Sequence, residues 1–258
     1  MLIRACEPCR YASGGQHGAY YTPGQNPTGG VLLLSPLFEE KRSAHRAMAE
    51  FACALADRGM AVLQPDLTGC GNGPGFLQDT SLAQWSEDIR DALSWLRQRS
   101  GSNPVYLAGC RMGGLLGGWY LVRRPEAASR LLLWNPVTSG GVYLSTARKR
   151  RMIQDSMTRA EERPRIEERE VEGQVLSDAL FTGLLEMSLD GLKPPPCEVR
   201  LLQCSFNTRM VPELERLMAQ WGRDRVRVHC MVSEPFWNAH TPGGYDEVIR
   251  TAAEFFIR

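Results

Sequence analysis

The segment Val105-Tyr-Leu-Ala-Gly-Cys-Arg-Met-Gly-Gly-Leu-Leu116 decides the fold of this chain. Its apolar first half predicts a buried strand, and its glycines predict a sharp turn that leads into a helix. Arg111 lies at the apex of this turn, between Gly109 and Gly113. A guanidinium donates hydrogen bonds but accepts none, and it stays protonated at any ordinary pH. Arg111 therefore cannot act as a nucleophile or as a base.

Apolar runs on either side repeat this order of strand and helix. The predicted strands are 31–35, 61–64, 105–109, 131–134, 198–204 and 225–231, and the predicted helices include 42–58, 82–96, 212–221 and a last one from about residue 245. Alternating strands and helices predict an α/β fold, with a mostly parallel sheet covered by helices on both faces. Functional groups are then expected at the carboxyl ends of the strands.

The alternation of predicted strands and helices is interrupted between residues 140 and 196. This stretch is dense in charged side chains and ends at three consecutive prolines, Pro194 to Pro196. We interpret 140–196 as an inserted helical cap, and 1–139 together with 197–258 as the core domain.

The composition excludes several classes of partner. The chain has 258 residues, with 30 basic and 29 acidic side chains, so its formal net charge is only +1. This balance does not favour nucleic acid, whose binding needs a broad basic surface. No apolar stretch approaches the roughly 18 residues that cross a bilayer, and the first residues lack the apolar core of a secretory signal. We therefore expect a cytoplasmic protein without a transmembrane segment.

Neither a cofactor nor a metal is predicted. The glycine-rich run 69–75 lacks a G-x-G-x-x-G frame that opens into a helix, so a dinucleotide site is not expected. Cys6 and Cys9 form a lone C-x-x-C, which is weak evidence for zinc or redox chemistry without a second pair or a histidine. We expect free thiols near a frayed N-terminus.

The turn at Arg111 has the spacing of the G-x-S-x-G nucleophile elbow, and the chain resembles the α/β-hydrolase superfamily over almost its whole length. It resembles more narrowly the exosortase A system-associated hydrolase 2 family. This narrower resemblance is carried by Pro36–Glu40, Leu63–Gly71, the G-x-R-x-G turn, Leu133–Gly140 and Glu234–Trp237. It implies a bacterial context of exosortase/PEP-CTERM protein sorting and exopolysaccharide gene clusters. It also implies that arginine at the apex is a recurring feature of the family. It does not imply any particular reaction.

The catalytic triad of a serine hydrolase is incomplete in this chain. Arg111 holds the nucleophile position, and the neighbouring Cys110 is either an alternative nucleophile or a buried structural thiol. The acid position, after the strand at 198–204, holds Asn207-Thr-Arg209 and no carboxylate. His240 lies in the loop that normally carries the base, so it is a candidate base or a vestige of one.

An oxyanion hole could persist without the triad because its donors are backbone N–H groups. The candidates are Met112 and the loop residues Leu37 and Phe38. Arg111 itself needs a nearby anion, since the helix dipole disfavours a cation at a helix N-terminus. Glu39 or Glu40 could supply it as an internal bidentate pair. Alternatively, a ligand carboxylate, phosphate or sulfate could bind there.

Two further features have competing interpretations. Trp237 could line a pocket for a sugar ring or an acyl chain, or it could pack between a loop and the core. The basic run Arg148–Arg151 could contact an anionic polysaccharide, a lipid surface or an acidic partner, or it could form a solvated helix face.

Three functional hypotheses follow from these residues. The first is a pseudo-hydrolase that binds an anionic or glycan- or acyl-related small molecule, or a protein of an export or polysaccharide system. The second is an active esterase, deacylase or acyltransferase with a non-standard site. The third is a pure protein-interaction module, for instance a homodimer. Replacing His240 separates the first two, because only an enzyme needs that side chain as a base.

Overall fold

A mixed eight-stranded sheet forms the centre of the computed structural model, which describes residues 5–11, 15–23, 26–101, 104–156, 169–238 and 244–257. Its strands are β1 (Ala5–Tyr11), β2 (Gln16–Thr22), β3 (Gly29–Leu34), β4 (Met60–Asp66), β5 (Val105–Cys110), β6 (Arg130–Trp134), β9 (Glu198–Ser205) and β10 (Val226–Val232). Their spatial order is β1-β2-β4-β3-β5-β6-β9-β10. The pairs β1–β2 and β2–β4 are antiparallel, and the other neighbours are parallel.

Helices cover both faces of this sheet. They are α1 (Phe38–Ala56), α2 (Leu82–Ser100), α3 (Met112–Arg123), α4 (Gly140–Ser156), α5 (Asp178–Glu186), α6 (Pro212–Trp221) and α7 (Asp246–Glu254). Helix α1 begins at Phe38 rather than at the predicted residue 42. None of the helices in the described ranges is long and apolar enough to cross a bilayer.

The sheet separates two apolar cores because successive side chains of a strand point to opposite faces. In β3, Val31 and Leu33 pack into the core shared with α1 and α7. Leu32 and Leu34 pack into the core shared with α2, α3 and α6. A strand that is buried on both faces has a continuous apolar sequence, and β3 has such a sequence. The predicted α/β architecture, with a mostly parallel sheet covered by helices on both faces, is therefore confirmed.

The turn after β4 explains the spacing of an aspartate and two glycines. The Asp66 carboxylate accepts a hydrogen bond from the Asn72 N–H at 3.1 Å and pairs with Lys41 at 2.5 Å. A Cβ atom on Gly71 would lie 2.5 Å from an Asp66 carboxylate oxygen, and a Cβ atom on Gly69 would lie 2.6 Å from the Leu77 nitrogen. This glycine-rich turn is therefore required by the close approach of its backbone to the Asp66 side chain and to the Leu77 backbone.

The N-terminal hairpin was not predicted. Residues 5–11 form β1, so the expectation of a frayed terminus around Cys6 and Cys9 is wrong there. Residues three apart in a strand point to opposite faces. Cys6 is exposed, whereas Cys9 is half-buried and its thiol contacts the Gly18 carbonyl oxygen at 3.5 Å. The two thiols therefore do not converge on a shared site.

The segment 140–196 packs on the core through its own apolar side chains. Its described part contains α4, α5 and a two-stranded hairpin formed by β7 (Glu170–Val171) and β8 (Gln174–Val175). Leu144, Leu180, Leu184 and Leu189 of this segment belong to the core that also contains α2 and α3. This packing places α4 and the hairpin beside the carboxyl end of β5.

Candidate functional site

Arg111 has the backbone geometry of a nucleophile elbow. Its φ of 56° and ψ of −122° lie in a region that non-glycine residues rarely adopt. A Cβ atom on Gly109 would lie 2.3 Å from the Gly113 carbonyl oxygen, and one on Gly113 would lie 2.3 Å from the Leu34 carbonyl oxygen. The two glycines therefore allow α3 to pack directly against the ends of β3 and β5, with Arg111 projecting from the turn.

The Arg111 guanidinium forms a bidentate ion pair with Glu40. Its Nε donates to one carboxylate oxygen of Glu40 and its Nη2 to the other, both at 3.1 Å. Its Nη1 donates to the Asn135 carbonyl oxygen at 3.2 Å. The Glu40 side chain is only 2% exposed, whereas Glu39 is exposed and pairs with Arg42. Of the two glutamates considered from the sequence, Glu40 neutralises Arg111.

Arg150 and Glu172 extend this pair into a network. Arg150 contacts the Glu40 carboxylate at 3.5 Å and donates to the Glu172 carboxylate at 2.6 Å. Glu172 also accepts the backbone N–H of Glu39 at 3.1 Å, at the N-terminus of α1. Burial alone would lower the pKa of Arg150, but the Glu172 and Glu40 carboxylates raise it above its ordinary value. Two arginines and two glutamates therefore alternate, and their charges balance.

Trp237 covers the Arg111 guanidinium. The guanidinium carbon lies 5.0 Å from the centre of the indole ring, within the range of a cation–π contact. The indole is also 5% exposed and packs edge-on against Phe236, with ring centres 5.0 Å apart. Trp237 thus packs on the core as one interpretation had it, and it also lies against the site, while its contact with a sugar ring or an acyl chain stays a prediction.

Two cavities flank the charged network. The first, of about 420 Å³, is lined by Arg111, Tyr143, Trp237 and side chains of the loop after β6. The second, of about 600 Å³, is lined by Glu40, Glu172 and the start of α1. Arg150 and Trp237 line both. Each volume lies in the range of roughly 300–1,000 Å³ that is usual for small-molecule sites.

Cys110 lies next to the apex, but it is not among the residues that line either cavity. Its thiol is fully buried in the core that α1 and α7 share with the sheet. Burial raises the pKa of Cys110 well above its ordinary value, although the Arg111 charge acts in the opposite direction. The thiolate is the nucleophilic form of cysteine, so this environment favours a structural thiol.

We expect Cys110 to resist alkylation in the folded protein. With N-ethylmaleimide at pH 7.5, the exposed Cys6 should be modified first, because reagent and water reach it. Cys110 should react only after unfolding in urea, when its burial and its raised pKa are lost. Peptide mapping by mass spectrometry follows both sites. Equal modification rates of Cys6 and Cys110 in the folded state would contradict this interpretation.

The remaining candidate residues have defined places in the fold. Leu37 precedes α1 as its N-cap residue, Phe38 begins α1 with a φ of 54°, and Met112 begins α3. All three side chains are buried, and the use of their N–H groups as an oxyanion hole remains a prediction. The candidate base, His240, lies outside the described residues.

The loop in the acid position has a local structural role. Asn207 accepts a hydrogen bond from the Arg209 N–H at 2.9 Å through its side-chain oxygen, which shapes the turn between β9 and α6. As expected from the sequence, no carboxylate stands at residues 206–211.

The basic run on α4 is engaged in internal contacts rather than forming a wholly solvated face. Arg151 contacts Glu170 at 3.9 Å, and Arg148 lies over the Phe181 ring at 5.0 Å. Arg150 belongs to the charged network described above. These contacts tie α4 to the hairpin and to α5, and they weaken the case for a surface that binds polyanions.

Sequence reasoning missed Tyr143 and Glu172 as site residues. Tyr143 stacks on Phe38 with ring centres 6.3 Å apart and lines the smaller cavity. Glu172 lies at the tip of the β7–β8 hairpin, where its φ is 51° and Gly173 follows. The Glu-Gly pair is a usable signal for a tight turn. No local signal places this turn against the N-terminus of α1, which is more than a hundred residues away in sequence.

Comparison with solved structures supports the fold. Est1E from Butyrivibrio proteoclasticus, bound to ferulic acid, superimposes with a TM-score of 0.69 at 15% identity, covering 96% of this chain and 98% of that one. Proline iminopeptidase from Mycobacterium smegmatis gives 0.61 at 16% identity, covering 96% and 97%. At these identities the likeness concerns the fold alone.

Sequence comparison identifies the family. Uncharacterized proteins from two strains of Mycobacterium tuberculosis are 32% identical over 145 residues, which is 54% of this chain and 49% of theirs. The chain thus spans about half the length of these curated relatives. The family model described as "Serine aminopeptidase, S33" matches residues 17–181, which is more than half of the chain. The chain therefore belongs to the serine aminopeptidase S33 family within the α/β-hydrolase superfamily.

Proposed function

We propose that this chain is a pseudo-hydrolase that binds a glycan- or acyl-related ligand without cleaving it. The single observation that carries the proposal is the ion pair of Arg111 with Glu40 at the elbow. The position of the side chain that should attack a substrate is instead occupied by a cation. This cation donates two hydrogen bonds to one carboxylate that is almost fully buried.

The ligand would occupy the cavity of about 420 Å³, with the segment 140–196 acting as its cap. This cavity combines apolar side chains such as Val137, Val142 and Leu214 with the hydroxyl groups of Thr138 and Ser139. A mixed lining of this kind suits a sugar ring or an acyl group. An anionic ligand is less favoured at Arg111, because Glu40 already neutralises that guanidinium.

The biological setting is also part of the proposal. The blocks that resemble the exosortase-associated family suggest a role beside bacterial protein sorting or exopolysaccharide export, with the ligand or a protein of that system as partner. All eight cysteines are free, which agrees with a reducing, cytoplasmic compartment.

Active-site labelling tests the proposal. We expect no stoichiometric adduct when the folded protein is incubated with a fluorophosphonate, and no hydrolysis of p-nitrophenyl octanoate above the buffer rate. A serine hydrolase of the same fold, labelled in parallel, shows that the reagent is active. One adduct that forms only on the folded protein and disappears in His240→Ala would instead establish an active hydrolase with a non-standard nucleophile.

A further inference from the structure

Strand β10 is one of the two edges of the central sheet. In the described ranges it pairs with β9 alone, in parallel register from Val226 opposite Val199 to Val232 opposite Ser205. The register advances one residue at a time over the whole strand, so β10 contains no bulge. The outer backbone N–H and C=O groups of β10 therefore form a regular row that no described strand pairs with.

The two edges of the sheet differ in how they are protected. Natural edge strands carry prolines, bulges, covering elements or charged side chains, which discourage unwanted pairing. At the opposite edge, β1 contains Pro8, which has no backbone N–H to donate. Strand β10 contains neither proline nor glycine, and its exposed side chains include Arg227 and His229. The charged side chains of β10 are therefore the feature that decides which strand it can accept.

Positive charge is concentrated along this edge. Residues 223–232 contain three arginines, Arg223, Arg225 and Arg227, against one acid, Asp224, in a chain whose basic and acidic side chains nearly balance. All three arginines are exposed, and none forms an ion pair with a described residue. Several exposed arginines on the helices are instead paired with a glutamate three or four residues away; they are Arg42, Arg46, Arg90 and Arg250. The charge along β10 is not neutralised in this way.

Arg227 lies beside a second arginine on the neighbouring strand. It is in register with Arg200 of β9, so the two side chains point to the same face of the sheet, where like charges repel each other. The Arg200 guanidinium carbon lies 4.5 Å from the centre of the Phe255 ring, whereas Arg227 is exposed. Burial lowers the pKa of His229, and the charges of Arg200 and Arg227 lower it further. The edge therefore has a positive potential that an acidic group would offset.

The two faces of β10 differ in polarity. Arg227 and His229 point to one face of the sheet, and Val226 and Val228 point to the other, because side chains alternate along a strand. Val226 is buried, and Val228 packs partly buried against the same core. A strand that pairs with this edge meets charged side chains on one face and apolar side chains on the other. The complementary strand thus alternates acidic with apolar residues.

The same charges disfavour a second copy of this chain at the edge. Pairing of two β10 strands would double the number of arginines along one seam, and repulsion of this kind is how specific interfaces reject wrong partners. We propose that the free edge of β10 is a docking surface for an extended acidic segment of a partner protein, which joins the eight-stranded sheet as a further strand. Backbone hydrogen bonds supply the affinity of such strand addition, and the alternating side chains supply its specificity.

This docking surface is independent of the proposed ligand site. No residue of β10 lines either of the two cavities beside the charged network. The inference therefore goes beyond the proposed function and does not rest on it.

Three labelled peptides test the proposal on the full chain. The first is a fluorescein-labelled heptapeptide that alternates valine with glutamate. The second has lysine in place of glutamate, and the third keeps glutamate but has methylated backbone nitrogens. Fluorescence anisotropy gives the Kd of each peptide. We expect saturable binding of the first peptide alone, because the second has the wrong charge and the third cannot donate backbone hydrogen bonds to the edge.

The variant Arg227→Glu reverses one charge on the edge. Arg227 is exposed and forms no ion pair with a described residue, so the fold should be retained, as circular dichroism can verify. The Kd of the glutamate peptide should rise about two- to tenfold, because one exposed attraction becomes a repulsion. The lysine peptide should bind more tightly to this variant than to the wild type.

Arg90→Glu is the matched control. Arg90 is an exposed arginine on α2, so this variant changes the net charge by the same amount without altering the edge. It should leave the Kd of the glutamate peptide unchanged.

Four results would overturn the inference. The first two are no binding of the glutamate peptide and an equal Kd for wild type and Arg227→Glu. The third is equally tight binding of the methylated peptide, which would show attraction of a polyanion without strand pairing. The fourth is a homodimer in sedimentation velocity that excludes the peptide, which would assign the edge to a second copy of the chain.

Discussion

Replacing Arg111 with serine should destabilise the protein strongly, although it recreates the sequence of a nucleophile elbow. The Glu40 carboxylate, 2% exposed, would lose both hydrogen bonds from Arg111 and keep only the longer contact with Arg150. Breaking a buried ion pair from one side costs roughly 3–5 kcal/mol, and the remaining arginine places the expected loss near the lower value, about 3 kcal/mol. Urea unfolding followed by tryptophan fluorescence measures the free energy of unfolding.

Two variants control this experiment. Arg42→Ser removes an arginine from the exposed pair with Glu39 in the same helix and should cost only about 0–1 kcal/mol. Adding Glu40→Gln to Arg111→Ser removes the uncompensated charge, so the double variant should be more stable than Arg111→Ser alone. If Arg111→Ser costs no more than Arg42→Ser, the ion pair does not stabilise the fold.

Replacing Gly113 with alanine should disrupt the packing of α3 on the sheet. The new Cβ atom would lie 2.3 Å from the Leu34 carbonyl oxygen and 2.4 Å from the Ser35 carbonyl oxygen. Both atoms belong to the backbone, which cannot move as a side chain does, so β3 and α3 must separate. Overpacking commonly costs 1–3 kcal/mol, and a clash with two backbone atoms should reach about 3 kcal/mol or more. Soluble yield and the urea midpoint report this loss.

Gly118→Ala is the matched control in the same helix. Its Cβ atom would first meet the Leu189 side chain at 3.2 Å, and that methyl group can shift. Alanine also has a higher helix propensity than glycine, by about 1 kcal/mol. Gly118→Ala should therefore be neutral or stabilising. Equal losses for the two variants would show that glycine is needed along α3 for another reason than the close approach of the strand.

The elbow could be predicted from the sequence because its signals are local. An apolar run, two glycines at fixed spacing and an apolar continuation all lie within residues 105–116. The pair of Arg111 with Glu40 could be anticipated only as one of two options. This anticipation depended on two premises. One was the position of the loop after β3, and the other was that a cation at a helix N-terminus needs a nearby anion.

The rest of the site depends on tertiary contacts. Arg150 and Glu172 reach Glu40 and the N-terminus of α1 from a segment whose sequence shows mainly dense charge. A run of arginines is compatible with solvent, with a partner or with buried carboxylates, and only the packing of α4 decides among them. The β1–β2 hairpin was missed because its strands lack a continuous apolar run, and Pro8 lies within β1.

The ion pair at the elbow makes a serine difficult to introduce at position 111 by a single substitution. A serine at position 111 would leave the buried Glu40 carboxylate without its main partner. A change at Glu40 alone would leave the Arg111 guanidinium, on a backbone with positive φ, without its carboxylate. Each single substitution at this pair is thus expected to lower stability. Arg111 and Glu40 are therefore energetically coupled, so that both positions must change together if a serine is to occupy the elbow without a buried, unpaired carboxylate.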